Sequence, residues 1–295
     1  MALNLTLLRS FYLVAQAGSV SGAAQDGFIS QPALSKAVKE LEKQIGVPLL
    51  ERGARGVTPT EAGATLWEFA RAIFALEREA EDALGALRNL SGGVLRLGAS
   101  TTLATAILAP VLAQFRALHP DLRFSLVRDN SAGIEARLLD FALDIALVEG
   151  PPHAAKIEKK LWRDEELVAV CAPSHALAAR KSVTMEDLKT CVWLVREPGS
   201  GTREVVEDAL RAFDLPPRDA LEITGSETLR QAVAAGLGIA FVSRESAADQ
   251  LAVGKLRVLR LQNFTLRRPF YLIRLQNRPL SSAARAFEQF LLLDT

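Results

Sequence analysis

Residues 19–63 read SVSGAAQDGFISQPALSKAVKELEKQIGVPLLERGARGVTPTEAG, and their caps, small residues and apolar spacing decide the N-terminal fold. Ser19 or Ser21 can cap a short helix containing Gly22, Ala23 and Ala24, small residues that let another helix approach closely. The turn Asp26-Gly27-Phe28-Ile29 follows, with Gly27 free to adopt a positive φ. Ser30 suits an N-cap and Pro32 the first helical turn. The spacing predicts a helix over 31–44 whose buried stripe is Leu34, Val38, Leu41 and Ile45, with Gln31, Ser35, Lys36 and Lys39 on other faces. A short helix, a tight turn and a capped helix with polar residues near its start form a helix-turn-helix.

Upstream, Leu5, Leu8, Tyr12 and Ala15 recur at helical spacing, and Gly18 is placed to end that helix. Downstream, residues 46–60 read as two short strands around a glycine-bracketed turn, a wing. The second helix of such a motif enters the major groove N-terminus first. Ser30, Gln31, Pro32, Ser35, Lys36, Lys39, Arg52 and Arg55 are therefore the candidate contacts to double-stranded DNA. Gln31 suits adenine edges, Ser35 either a base edge or a phosphate, and Lys36 and Lys39 phosphates or guanine. Arg52 and Arg55 at the wing tip suit phosphates or a narrow minor groove. Over residues 1–58, six Lys and Arg face four Asp and Glu. A lone lysine is more often a solvated charge, so the argument rests on the ordered placement of the set.

The totals bound the rest. At 295 residues the chain has room for about two domains, and its net charge of +1 requires any DNA-binding surface to be local. The first residues carry no basic run of a signal peptide, and no stretch of eighteen apolar residues reads as a membrane span. Two cysteines, Cys171 and Cys191, are too few for a disulfide framework. A cytoplasmic protein without a membrane partner is the expectation.

Residues 19–63 also resemble the signature of the LysR-type transcriptional regulators. SQPALS at 30–35, LE-x-x-IGVPLLER at 41–52 and TEAG at 60–63 match in order. The departure is Gly27-Phe28, where the family carries a longer residue and then Leu or His. The resemblance implies an all-α winged helix-turn-helix, a long dimerising linker helix, and an α/β two-lobed sensor domain like the periplasmic binding proteins. It further implies a homotetramer on an imperfect palindrome, with effector binding shifting the lobes and altering access for RNA polymerase.

Helical character runs from Glu61 to about Leu90 without proline, a length of roughly 45 Å. Trp67, Ala70, Phe74, Glu77, Ala80 or Glu81, and Leu84 trace one seam, widened by Leu66, Phe69, Ile73, Leu76 and Leu87. An intramolecular core helix is the plainer reading; a dimer interface is preferred because so long a helix outruns a small domain. Asn89 to Gly93 end it as a linker. The expected organisation is 1–59 for DNA binding, 60–91 for dimerisation and 92–295 for effector binding.

From residue 94 strands alternate with helices, the mark of a doubly wound sheet. Crossings between lobes are expected near 162–164 and 266–268, so that one lobe holds 92–163 and 267–295 and the other 164–266. Ligands of open α/β sheets bind at the carboxyl ends of strands. Ser100, Thr101 and Thr102 fall there, as do Asn130, Glu149, Arg196, Ser200, Thr202, Arg203 and Glu227. Hydroxyl residues before a helix are more often plain N-caps, so their convergence on one cleft is what makes them effector-binding candidates. The pieces around 99–102, 148–150 and 196–203 also resemble the subgroup of carbon-dioxide-fixation and sulfur-assimilation regulators, which implies a small anionic effector and no cofactor.

Other classes are weighed on the same residues. No GxSxG elbow, metal-binding His/Cys cluster or dinucleotide glycine fingerprint occurs, and His119, His153 and His175 are scattered, which speaks against an enzyme. A redox switch would need Cys171 and Cys191, which read instead as packing residues of apolar strands. A solute-binding protein of the same sensor fold would lack the DNA-binding head.

Overall fold

The computed structural model describes residues 2–53, 56–87, 93–213, 215 and 220–293. The chain divides into two compact units, Met1–Glu81 and Asp82–Thr295.

The first unit holds helices α1 (Leu5–Ala17), α2 (Val20–Asp26) and α3 (Gln31–Ile45), the hairpin β1 (Leu50–Gly53) and β2 (Gly56–Pro59), and the start of α4 (Glu61–Leu87). Each of the first three helices starts where a side chain accepts otherwise orphaned N–H groups: Asn4, Ser19 and Ser30. Gly18 and Gly46 end α1 and α3 in the left-handed region. Leu8, Phe11, Val14, Ala23, Leu34, Val38, Leu41 and Leu49 close one core. The wing is tied down by its backbone, since the Val57 N–H donates to the Gly18 carbonyl at 2.8 Å. A Cβ on Gly63 would lie 1.9 Å from the Leu49 oxygen, so only glycine lets α4 start against the wing.

Two expectations are corrected here. Gly27 sits at φ −89°, and the positive φ falls on Phe28 at +52°. Gly27 N–H bonds Ala23 C=O at 2.9 Å and Ile29 N–H bonds Ala24 C=O at 3.1 Å, which makes Phe28 the left-handed residue of the helix end. A Cβ at 27 would sit tightly, 3.0 Å from Ala23 O and 3.2 Å from Leu13, so glycine eases the turn by its size rather than by its φ. The linker seam also divides. Ala70 and Phe74 are buried in the first core, and Trp67 stacks on Tyr12 at 4.9 Å, so that half of the seam is an intramolecular face. Phe69, Leu76 and Leu84 stay exposed on the same helix. The expected helix end and linker at 88–92 lie outside the described residues.

The second unit contains β3 (Val94–Ser100), α5 (Leu108–Leu118), β4 (Arg123–Asp129), α6 (Ser131–Leu139), β5 (Ile145–Glu149), β6 (Ile157–Cys171) and β7 (Leu194–Arg196). It continues with α7 (Gly201–Arg211), β8 (Leu221–Ile223), α8 (Ser226–Ala234), β9 (Ala240–Ser243), α9 (Ala248–Ala252), β10 (Arg257–Val258), β11 (Leu266–Leu275) and α10 (Ser282–Leu293). Ahead of α5 the chain makes a π turn, Leu103–Ile107. Pro110 explains it: it has no N–H for the Ala106 carbonyl and its ring crowds that turn, and Leu108 N–H bonds Leu103 C=O instead.

The sheet runs β4-β3-β5-β11-β6-β10, with β9 also paired to β6. β3 is parallel to β4 and β5, while β11 is antiparallel to both β5 and β6. One lobe packs Leu95, Leu97, Phe115, Phe270 and Phe287 on one sheet face, and Ile134, Leu138 and Ile273 on the other. The second lobe does the same with Leu167, Trp193, Val206 and Phe241 against Val168, Leu229 and Val242. The chain passes between lobes along β6 and β11, which stay paired from Leu266–Leu167 to Leu275–Ile157 with one irregularity at Phe270/Tyr271. The crossings are thus one continuous two-stranded ribbon.

Candidate functional site

In the first unit, the start of α3 forms an exposed tip. Ser30, Gln31, Pro32, Lys36 and Lys39 are exposed and Ser35 is half-buried. Leu34, Val38 and Leu41 turn the opposite face into the core, which fixes the direction in which the polar face looks. The Ser30 hydroxyl accepts from Ala33 N–H at 3.4 Å. Among the described residues no carboxylate lies within ion-pair distance of Lys36 or Lys39. Arg52 stands on β1, Arg55 falls outside the described residues, and nothing is described of the Arg52 side chain.

In the second unit the carboxyl ends of β3, β4 and β5 align, and a helix starts beside each or opposite them. Ser100 ends β3 fully buried, and its hydroxyl has no hydrogen-bond partner. Thr101 donates to the Asp129 carbonyl at 3.0 Å, and Thr102 is buried at the start of the next helical turn. Asn130 caps α6 by accepting from Gly133 N–H at 2.8 Å, and its amide donates to the Pro198 carbonyl at 3.2 Å. Ala132 N–H donates to the Gly199 carbonyl at 3.0 Å, a second tie between lobes. The tip of α7 seats on the end of β5, where a Cβ on Gly201 would lie 1.9 Å from the Glu149 carbonyl oxygen. Ser200, beside it, is buried with an unpartnered hydroxyl.

A buried charge cluster completes this junction, and its centre is not among the residues the sequence singles out. Arg268 on β11 has no solvent exposure. Its Nε and Nη2 donate to Glu165 at 3.0 and 2.6 Å, the residue directly opposite it on β6. Its Nη1 donates to the Thr202 hydroxyl and lies 3.5 Å from Glu149 Oε1. Thr202 in turn donates to Glu149 Oε2 at 3.4 Å, while Glu149 Oε1 itself has no donor in bonding geometry. The other Glu165 oxygen accepts from Ser243. One signal was available: Arg268 is in phase with Leu266 and Phe270 on an alternating strand, and so on its buried face. Ser131, whose hydroxyl donates to the Glu149 carbonyl at 3.3 Å, was also missed; it looked like an ordinary helix start.

The remaining candidates are held elsewhere. Arg196 grips Glu197 through two hydrogen bonds of 2.8 and 2.7 Å. Burial works to raise the Glu197 carboxyl, but the hydrogen bonds and charge of Arg196, with backbone N–H groups including that of Gly225, outweigh it and leave it below its ordinary range. The Arg203 guanidinium is taken up by Glu207 at 2.6 Å, the Arg196 carbonyl at 2.9 Å and Glu222 at 3.0 Å. Glu227 pairs with Arg230 and accepts from Gln231, with its side chain largely exposed. Cys171 is buried, and desolvation, then the neighbouring Cys191, push its thiol up to about 11. Among the described residues no cluster of His, Cys, Asp and Glu could hold a metal, and no helix is long and apolar enough to cross a membrane.

An exposed capped helix after a tight turn, beside a two-stranded wing, defines a winged helix-turn-helix; a ribbon-linked pair of α/β lobes with polar strand ends facing each other defines a sensor. Two family models match these parts: the bacterial regulatory helix-turn-helix protein of the lysR family over residues 5–64, and the LysR substrate binding domain over 88–293. The chain belongs to the LysR family of DNA-binding transcriptional regulators, whose activity is set by a small molecule at the sensor domain. It is 33% identical to a RuBisCO operon transcriptional regulator of Allochromatium vinosum, over 99% of this chain and 96% of that one. It is 37% identical to the HTH-type transcriptional regulator YeiE of Escherichia coli, over 97% of this chain and 96% of that one. The regulatory domain of Synechocystis PCC6803 CcmR in complex with 2-PG superposes with a TM-score of 0.64 at 27% identity, covering 68% of this chain and 97% of that one.

Proposed function

We propose that the effector is a small anion held at the lobe junction by the hydroxyls of Ser100 and Ser200, with Thr101, Thr102, Asn130 and Thr202 lining the site. The observation that carries this reading is a pair of buried hydroxyls, Ser100 and Ser200, with no partner, each beside the start of a helix. A buried hydroxyl without a hydrogen bond costs about 1–3 kcal/mol, and a ligand oxygen relieves it. Helix N-termini supply N–H groups and partial positive charge suited to an anion. Arg268 is already faced by Glu165 and Glu149, so attraction for the anion comes from the helix ends and hydroxyls rather than from side-chain charge. Glu149 and Arg268 hold Thr202 in place, while Arg196, Arg203 and Glu227 brace the surrounding frame. The relative bound to 2-PG supports the same chemical class.

On this reading the organisation is 1–59, 60–91 and 92–295, with α3 and the wing reading an operator in the cytoplasm. The exposed residues Phe69, Leu76 and Leu84 of α4 supply the dimer contact, and two dimers make a tetramer that meets RNA polymerase. Effector binding acts by preferring one lobe arrangement, since a ligand without such preference shifts nothing.

The test is thermal unfolding of the full chain with sulfate, phosphate and 2-PG against chloride at matched ionic strength. A ligand at a hundred times its Kd adds about 2.7 kcal/mol of stability. The expected result is a raised midpoint with one of these anions that Ser100→Ala and Ser200→Ala abolish. Equal midpoints in all four salts would remove the anion.

A further inference from the structure

We infer that Phe28 is a sequence-reading residue, its ring meeting the 5-methyl group of a thymine beside the base pairs reached by the start of α3. The ring is 97% exposed, and it belongs to no core cluster of its unit. Its backbone sits at φ +52°, a conformation in which a bulky L-residue is strained and which glycine or asparagine fills more easily. The fold therefore gains nothing from phenylalanine here. The turn that presents Phe28 is tied on both sides of it, since Gly27 N–H donates to Ala23 C=O at 2.9 Å and Ile29 N–H to Ala24 C=O at 3.1 Å.

Position supplies the partner. Phe28 lies two residues before the Ser30 cap of α3, next in the chain to the exposed start of that helix, within the stretch matched by the helix-turn-helix family model. A phenyl ring has no donor or acceptor for a phosphate. The apolar group exposed on the floor of the major groove is the thymine methyl, and phenylalanine is among the side chains that contact it. An apolar ring beside the polar residues of this tip thus adds discrimination rather than general affinity, and the exposed Ile29 next to it extends the apolar edge. This inference rests on the DNA-binding family and not on the anion reading.

The test uses the full chain and a library of random DNA duplexes. The wild type and Phe28→Gly each select their preferred sites. The expected result is that Phe28→Gly loses a thymine preference at one base pair of each half-site and keeps the others. Replacing that thymine by deoxyuridine should weaken the wild type about fourfold, the worth of one buried methyl, and leave the variant almost unaffected. A thermal midpoint at or above that of the wild type shows that the variant folds; if it does not fold, Phe28→Asn, which also tolerates the left-handed region, takes its place. Identical preferences in both proteins overturn the inference. So does a uniform loss of binding to every sequence, or a changed oligomeric state, which would place the ring against a second copy of the chain.

Discussion

Lys36 and Arg268 carry the same charge in opposite surroundings. Lys36 projects from the first turns of α3, exposed, with no described carboxylate beside it. Arg268 is sealed between lobes with Glu165 across the ribbon and Thr202 and Glu149 around it. An exposed cation costs the fold almost nothing and stays available to a polyanion. A buried one must be matched where it stands, because desolvation is not repaid without good pairing. The first region leaves its charge open to solvent; the second ties up its charge in pairing across the ribbon between the lobes. In such a molecule the surface charges carry recognition and the buried charges carry geometry.

The strongest way to break that contrast is Arg268→Ala, which leaves Glu165 and Glu149 buried without their cation. A loss of about 3–5 kcal/mol in unfolding free energy is expected, measured by urea denaturation. A loss under about 1 kcal/mol, the scale of an exposed pair, would show that water reaches the junction and that Arg268 is not structurally matched. Lys36→Ala sharpens the other side. Unfolding should stay within about 0.5 kcal/mol of the wild type, as for most surface changes. The slope of log affinity for DNA against log salt should fall by about 0.9, the release of one counterion. An unchanged slope removes Lys36 from the phosphates. The smallest effect concerns Cys171. With its thiol pushed up to about 11 it stays protonated at neutral pH, so alkylation by iodoacetamide in the folded protein should be slow at pH 8 and fast only in denaturant. Rapid labelling of Cys171 in the folded state, or peroxide-dependent DNA binding lost in Cys191→Ala, would restore the redox switch.

The legibility of each region follows the same contrast. Helix α3 was legible because its signals are local: Ser30 and Pro32 at its start, Gly46 at its end, and a single apolar stripe between. Its turn was read one residue wrong, because an L-residue in the left-handed region is rare enough that Gly27 looked the better choice. The first half of β6 is hard to read from the chain because Glu158, Lys159 and Lys160 mask its alternation, yet Arg274 on the paired strand answers Glu158 at 2.9 Å and Lys160 reaches Glu288 at 3.0 Å. The linker seam was visible, but which of its apolar residues pack inward depended on where α1 placed Tyr12.

At the lobe junction the strand ends could be named in advance, and Ser100, Glu149, Ser200 and Thr202 stand there. By itself the amino-acid order determined the helix-turn-helix, the alternation of strands and helices, and the family, since caps, periodicity and motifs act over a few residues. Only the tertiary structure decided that Arg268 meets Glu165, Glu149 and Thr202, partners 103, 119 and 66 positions away, and that Arg203 is already engaged by Glu222. Pairing of buried charge depends on distance in space, and no spacing along the chain encodes it.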